Sequence, residues 1–544
     1  MKKPHLILLS LLSGLLFWLS WAPVGFPFLI FGAFVPLFFI SDELLKGKSR
    51  VPFWQGIVYS YPAFLVWNIG TTWWIWNSTP PGAVAAIVLN AFFMCLCFAF
   101  WHCFRNLRSA TISQPIFFVA LWLSWEFLHL HWDITWPWLN IGNVFVTCTP
   151  CIQWYEYTGT FGGTLWIIIM NFLLFFFIHH ILEKRKKERF VYGVATLAVI
   201  IIPLVISLVI YQNYEIKKEN GIEAVIVQQN TDPWEEQYMM ANYEHVERII
   251  TTAQPLITSR TELLVCPETA IPHTFPLDML LESDCSSEIY KVLGINLLDS
   301  LIAQFPNLNI IAGASTVSFY DNQVSSTARK NRQGIYYELY NTSLCYNRMG
   351  ISGVYYKSRL VPGVEKMPYP KIFGFLEKFV IDLGGASGSL GKDSCQRAFL
   401  TLADGGTLRI GAPICYESVY GELFGNFIKD GAQVMTVITN DAWWGDTPGY
   451  KQHFLFSKLR AIETRRYILR SANTGISAFI DPKGEVIQPT SYETRIAIKD
   501  EVYPNDEITF YVKHGDYLAR FAVVLNLLCF LFGSYLWAMK RIII

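Results

Sequence analysis

The chain has 544 residues, enough for more than one domain. Its 43 basic and 43 acidic residues balance, which excludes nucleic-acid binding through bulk positive charge. At 52% hydrophobic and only 16% charged, it is too apolar for an ordinary soluble protein of this size and reads as a membrane protein.

Lys2 and Lys3 precede an apolar run from His5 to Ala22. No small-residue cleavage site follows, so the run reads as a retained membrane helix rather than a signal peptide. Further apolar stretches lie at Phe26–Ile40, Phe53–Trp76, Ala83–Phe104, Ile112–Leu130, Thr164–Leu182, Val191–Tyr211 and Tyr517–Met539, giving eight predicted spans. If these alternate, Lys2-Lys3, Lys46/Lys48/Arg50, Arg105/Arg108, the Glu183–Arg189 run and Lys540-Arg541 share one side. The excess of Lys and Arg there predicts cytoplasmic termini and an extracytoplasmic domain between spans seven and eight. Glu126 falls inside the fifth span, where a carboxylate needs partners, and His129 and His131 are the nearest candidates. Its expected role is structural. The loop His131–Gly163 carries Trp132, Trp136, Trp138, Trp154 and Tyr155, which suit a membrane interface. The 11 cysteines form no disulfide framework, and Cys148 and Cys151, at Cys-x-x-Cys spacing, lack the second ligand pair of a metal site.

The expected division is a seven-helix membrane domain over 1–212, a catalytic domain over 213–513, and an eighth helix with a tail over 514–544. Residues 213–513 alternate strand-like and helical runs. Strands are predicted at Ala224–Gln228, Leu263–Cys266, Asn309–Ala314, Thr407–Ile414 and Gln433–Thr439, with paired strands at Tyr337–Tyr346 and Gly353–Lys357 and a hairpin over Gly475–Gln488. Helices are predicted at Gln237–Ala253, Ile289–Phe305 and Gln452–Arg470, and a turn-prone segment at Gly421 and Gly425. The pattern implies a sandwich of two sheets covered by helices.

Three strand-like runs end in chemistry. Cys415 ends one, Glu268 follows another in Cys-Pro-Glu, and Lys357 ends a third in Tyr-Tyr-Lys. Singly, each has a plain reading: a small core residue, a helix cap and a surface charge. Together they supply what acyl transfer through a thioester needs. Cys415 is the nucleophile, Glu268 its base, and Lys357 with the Tyr416 N–H the oxyanion donors. No histidine sits in a motif beside Cys415, so a Cys-His enzyme is not expected.

In order, Pro267-Glu268, Tyr356-Lys357 with Val361-Pro362 and Glu365, Ile414-Cys415-Tyr416-Glu417 and Asn440-Asp441-Ala442-Trp443-Trp444-Gly445 resemble the nitrilase, or carbon-nitrogen hydrolase, superfamily. Set between the last two of eight spans, such a domain is similar to the apolipoprotein N-acyltransferase family. The resemblance implies an αββα catalytic domain with Glu268, Lys357 and Cys415 catalytic. It implies supporting roles for Glu365, Tyr416, Glu417 and Trp234, and no metal or other cofactor. The Val-Pro-Phe-Gly-Glu-Tyr usual in the family stands here as Val361-Pro362-Gly363-Val364-Glu365-Lys366, which keeps the glutamate and changes its neighbours. The implied donor is a phospholipid, phosphatidylethanolamine in the first instance. The implied acceptor is the α-amine of a lipidated N-terminal cysteine, and the implied setting is a monomer in the bacterial plasma membrane. Two rivals are a membrane-anchored amidase using the same residues, for which one anchor helix suffices, and a transporter, which needs more paired intramembrane charge than Glu126 offers.

Overall fold

The long apolar runs become helices and the short β-branched runs become strands in a computed structural model that describes residues 3–46, 52–107, 113–282, 288–373, 389–403 and 406–542. Lys2, Lys48, Arg50 and Arg108 lie outside the described residues. The chain divides into one unit over Met1–Asn213 with His514–Ile544, and a second over Tyr214–Lys513.

The first unit holds α1 (Lys3–Ser20), α2 (Val35–Leu45), α3 (Phe53–Thr72), α4 (Pro80–Leu107), α5 (Ser113–His129), α6 (Tyr155–Leu182), α7 (Lys186–Asn213) and the C-terminal helix Tyr517–Ile542. Among the described residues, five helical segments are long and apolar enough to cross a membrane: Lys3–Ser20, Pro27–Leu45, Pro80–Arg105, Tyr155–Leu182 and Lys186–Asn213. The second expected span is not one regular helix, because a 3₁₀ segment, Pro27–Gly32, precedes α2. Irregular backbone in apolar surroundings must find internal partners. Here Asn171 on α6 supplies them, donating to the Ile30 carbonyl (2.9 Å) and accepting from the Phe34 amide (2.8 Å).

A second 3₁₀ segment, Ile141–Thr147, is held the same way. Glu126 accepts from the Ile141 amide (2.8 Å), the Trp122 indole (3.1 Å) and the Thr164 hydroxyl (2.7 Å). Its partners are therefore not His129 or His131. The His129 Nδ1 accepts from the Trp132 indole (2.9 Å), and the His131 ring meets the Phe127 carbonyl (2.8 Å). Of the aromatics expected at a membrane interface, Trp138 and Tyr155 are buried instead, with Trp136 stacked on Trp138. Cys148 and Cys151 are joined by a disulfide, a bond that the sequence reading did not assign.

In the second unit the strands are β1 (Ile222–Gln228), β2 (Thr261–Val265), β3 (Ile271–Pro276), β4 (Asn309–Tyr320), β5 (Arg329–Lys330), β6 (Tyr336–Asn347), β7 (Gly350–Tyr356), β8 (Phe399–Ala403), β9 (Gly406–Gly411), β10 (Val434–Thr439), β11 (Ile468–Ala472), β12 (Ala478–Ile480), β13 (Val486–Ile487) and β14 (Ile496–Val502). One sheet runs β14-β1-β2-β4-β6-β5, with β3 beside β4 and β7 beside β6; the other runs β13-β12-β11-β10-β9-β8. The central pairs β1–β2, β2–β4, β9–β10 and β10–β11 are parallel. Parallel strands are covered on both faces, which is why β2 and β10 are buried throughout. The sheets meet through β1 and β11, where the Ser471 hydroxyl donates to the Val227 carbonyl (2.7 Å). The helices Asn242–Ala253 and Ile295–Gln304 pack into the core of the first sheet, and Pro448–Thr464 packs on the second. The result is the αββα sandwich expected from the sequence.

Three local expectations need correction. Gly421 and Gly425 lie in a helix, Gly421–Lys429, not a turn. Gly421 serves close packing, since a Cβ there would sit 2.5 Å from the Tyr511 hydroxyl. The predicted helix Ile289–Phe305 is broken at Gly294, whose φ of +75° belongs to the left-handed region. The predicted helix Gln452–Arg470 ends at Thr464, with Arg465 left-handed at φ 52°, and Ile468–Ala472 crosses into the sheet as β11.

Candidate active site

The carboxyl ends of parallel strands are where α/β sheets expose loops for chemistry. The residues that follow β1, β2, β9 and β10 contribute here, with Arg470 from within β11. After β2 the chain turns through Pro267 to Glu268, pressed against β4. A Cβ at Gly313 would lie 2.0 Å from the Glu268 carbonyl oxygen, so a glycine is required there. The Glu268 Oε1 accepts from the Lys357 ammonium (3.1 Å) and the Asn341 amide (2.7 Å). Its Oε2 accepts from the Asn440 backbone N–H (2.9 Å), so both oxygens are fixed.

Lys357, just beyond β7, is 1% exposed and also donates to Glu365 Oε1 (2.8 Å). Burial alone would discharge this amine. The Glu268 and Glu365 carboxylates outweigh it and hold the Lys357 pKa well above its ordinary value, so the ammonium persists. Glu365 is anchored by the Asn341 amide (3.1 Å) and the Val361 N–H (2.8 Å). Its altered neighbours therefore leave it in contact with Lys357. Removing one partner from a buried ionic set typically costs about 3–5 kcal/mol, because the rest is left uncompensated.

Cys415 opens a short 3₁₀ turn, Cys415–Val419, with φ of 50°. Left-handed backbone costs a residue with a side chain roughly 1–2 kcal/mol, and such strain persists only where the surroundings fix it. Burial pushes the Cys415 thiol well above its ordinary pKa; the Glu268 charge adds to this and the Lys357 charge opposes it. The resting sulfur is thus a thiol that needs a base. Glu417 fastens the turn. Its Oε2 accepts from the Ile414 N–H (2.8 Å), and its Oε1 from the Tyr355 hydroxyl (2.6 Å), the Ser358 N–H (2.7 Å) and the Ser358 hydroxyl (2.6 Å). Burial raises the Glu417 pKa, and these donors pull against it. One carboxylate thus ties the Cys415 turn to the Lys357 segment. The Tyr416 side chain is buried with its ring 5.3 Å from that of Tyr420. Trp234 is 59% exposed and meets Trp443 edge-on at 5.1 Å.

Donor atoms of Cys415, Asp441 and His453 lie within 4.8 Å of one another, all buried. A cation is poorly suited there. Asp441 already accepts from Arg470 and from the Thr439 hydroxyl (2.7 Å), and one of its oxygens lies 2.8 Å from the His453 ring. Its pKa is lowered: burial would raise it, but His453 and Arg470 prevail.

The carbon-nitrogen hydrolase family model matches residues 224–501, the span that holds every one of these groups. The chain belongs to the carbon-nitrogen hydrolase family. Residues 13–173 match a second description, the apolipoprotein N-acyltransferase N-terminal domain. An apolipoprotein N-acyltransferase of Chlorobaculum tepidum is 28% identical over 95% of this chain and 94% of its own length. One of Geobacter metallireducens is 26% identical over 94% and 92%. Among solved structures, the nitrilase-superfamily protein Nit3 of Saccharomyces cerevisiae aligns with 52% of this chain and 91% of its own, at 17% identity and a TM-score of 0.34. Within this carbon-nitrogen hydrolase unit the sequence reading brought Glu268, Lys357, Glu365 and Cys415 forward, and the structure gathers them. It passed over Asn341, which bridges both glutamates from mid-strand β6, and the buried Asp441, His453 and Arg470. Asp441 stood inside a quoted motif, but nothing in a strand pattern marks Asn341.

Proposed function

We propose that this chain is an N-acyltransferase that moves an acyl chain from a phospholipid, through a thioester on Cys415, to the α-amine of the N-terminal diacylglyceryl-cysteine of apolipoproteins. The observation that carries the mechanism is the Glu268–Lys357–Glu365 cluster, fixed by Asn341, in which the Glu268 and Lys357 charges act on the Cys415 thiol. In the first half-reaction Glu268 takes the thiol proton and the sulfur attacks the ester carbonyl. The Lys357 ammonium and the Tyr416 N–H hold the oxyanion. The ester C–O bond breaks, and Glu268 returns the proton to the leaving lysophospholipid. In the second half the amine attacks the thioester, Glu268 takes its proton, the C–S bond breaks, and the sulfur is reprotonated. Glu365 holds Lys357, and Glu417 holds the nucleophile turn. Trp234, exposed beside Trp443, offers an apolar surface for an acyl chain.

Phosphatidylethanolamine is the proposed donor and a monomer the proposed state. The lysine-rich loops support a bacterial inner-membrane protein with residues 213–513 outside the cytoplasm. Incubated with phospholipid alone, the protein is expected to gain the mass of one acyl chain on Cys415, and a lipopeptide with a free α-amine is expected to discharge it. A blocked amine does not discharge it, and Cys415→Ala never becomes acylated. Product formation without any adduct would replace the covalent route with direct transfer. Equal decay without amine would make water the acceptor and the protein an amidase.

A further inference from the structure

The strained backbone at Cys415 has an identifiable cause. The Cys415 carbonyl accepts from the Ser418 hydroxyl (2.8 Å) and faces the His453 Nε2 (3.1 Å). The same nitrogen lies 3.1 Å from the Ser418 oxygen, which has already given its hydrogen to that carbonyl. Both neighbours of Nε2 are thus acceptors, so Nε2 carries the hydrogen and donates. The other face of the ring is fixed at Nδ1, which lies 3.1 Å from the Arg470 guanidinium and 2.8 Å from an Asp441 oxygen, Asp441 being itself held by Arg470 and by Thr439. The Trp444 ring meets the imidazole edge-on at 5.5 Å. His453, Asp441, Arg470 and Ser418 are all at 0% exposure, so no solvent competes for these bonds.

The carbonyl of Cys415 and the N–H of Tyr416 belong to one planar trans peptide group and point in opposite directions. Whatever grips the carbonyl therefore aims the N–H. A donor on the carbonyl also polarises the group and makes the N–H a stronger donor. We propose that His453 is a positioning residue for acyl transfer: it clamps the Cys415–Tyr416 peptide group from the carbonyl side and so directs the Tyr416 N–H at the oxyanion. This deepens the reading above and rests on Cys415 being the nucleophile. A His453 nitrogen lies within 4.8 Å of the Cys415 sulfur, but its hydrogen bond goes to the carbonyl of that residue. The effect through the peptide plane is felt whenever a tetrahedral oxyanion forms, in both half-reactions.

The role has a signature that simple damage to the fold lacks. Alkylation of Cys415 by iodoacetamide is a displacement at a saturated carbon and forms no oxyanion, whereas acylation by a phospholipid does. Both rates are measured by mass on the purified full-length wild type, His453→Ala, His453→Gln and Ser418→Ala. His453→Ala is expected to slow acylation about 10²-fold, the scale of losing an oxyanion donor, with alkylation shifted by only a few-fold. His453→Gln, whose amide can still donate to the Cys415 carbonyl, recovers most of that loss. Ser418→Ala, which removes the second donor to the same carbonyl, slows acylation by roughly 3–10-fold and again spares alkylation. Acylation and alkylation falling together in the Gln and Ser418 variants would make the network merely structural and overturn the proposal. Acylation at the wild-type rate in His453→Ala would overturn it as well. A wild type that makes product but never carries acyl on Cys415 removes the nucleophile reading itself, and this inference with it.

Discussion

Two buried carboxylates, one in each unit, show what separates a brace from a candidate base. Glu126 is 2% exposed and Glu268 8%, and each accepts three hydrogen bonds. The three donors to Glu126 are neutral: an indole, a backbone amide and a hydroxyl, which join α5, the Ile141–Thr147 segment and α6. Glu268 instead shares a buried ammonium with a second carboxylate. Burial and hydrogen-bond number are alike. The identity of the donors, and what else they serve, makes the difference.

The comparison breaks most readily on turnover. Glu268→Gln is expected to lower acyl transfer by about 10²–10⁴-fold, while Glu126→Gln, which keeps an oxygen facing Trp122 and Ile141, stays within a few-fold of wild type. A folded, membrane-inserted Glu126→Gln protein without activity would move Glu126 into the chemistry. Next in size is stability. Glu126→Ala strips three buried donors of their acceptor and should lower unfolding stability by of order 3 kcal/mol, read as the thermal midpoint in detergent.

A smaller effect sharpens the electrostatic half. Glu268 raises the thiol pKa and Lys357 lowers it. At fixed neutral pH, below that pKa, the thiolate fraction should therefore rise in Glu268→Gln and fall in Lys357→Met, by up to roughly tenfold in each. The iodoacetamide rate at Cys415 reads this directly, and the opposite order would mean that these charges do not govern the sulfur. In wild type the rate should keep climbing as pH passes the ordinary thiol value, because the folded pKa lies above it. Smallest is Thr164→Val, which removes one donor from Glu126 and is expected to cost about 1 kcal/mol with turnover unchanged.

The αββα class was legible because several parallel strands are short β-branched runs, as in Ala224–Gln228 and Gln433–Thr439, and chain order alone placed Glu268, Lys357 and Cys415 after strand-like runs. The helix expected to reach Arg470 misled because Arg465, Arg466 and Arg470 look like an exposed helical face. In the structure Arg466 is buried, its guanidinium donating to the Ala432 (3.1 Å) and Glu507 (2.8 Å) carbonyls, and Arg470 lies at 0% exposure against Asp441. Sequence patterns treat Arg as a surface residue, so buried arginines that hold backbone carbonyls stay hidden. The Glu126 partners were misjudged for a related reason. The nearest ionisable side chains in sequence were its two histidines, whereas Ile141 and Thr164 reach it through folding of the following segment.

The first sheet pairs Ile222 with Val502, so the first strand of the second unit waits for its last. Gln228 likewise donates to Ser491 and Thr494, more than 260 positions later. A chain emerging at about 5–20 residues per second therefore needs tens of seconds between making β1 and making its neighbour β14. During that interval β1 has an unpaired edge, and the nucleophile turn, already synthesised, stands in an unclosed sandwich. With Cys415 as the proposed nucleophile, acyl chemistry there is expected to wait until almost the whole chain exists. Chains released before Ile496 should bind no acyl group at Cys415.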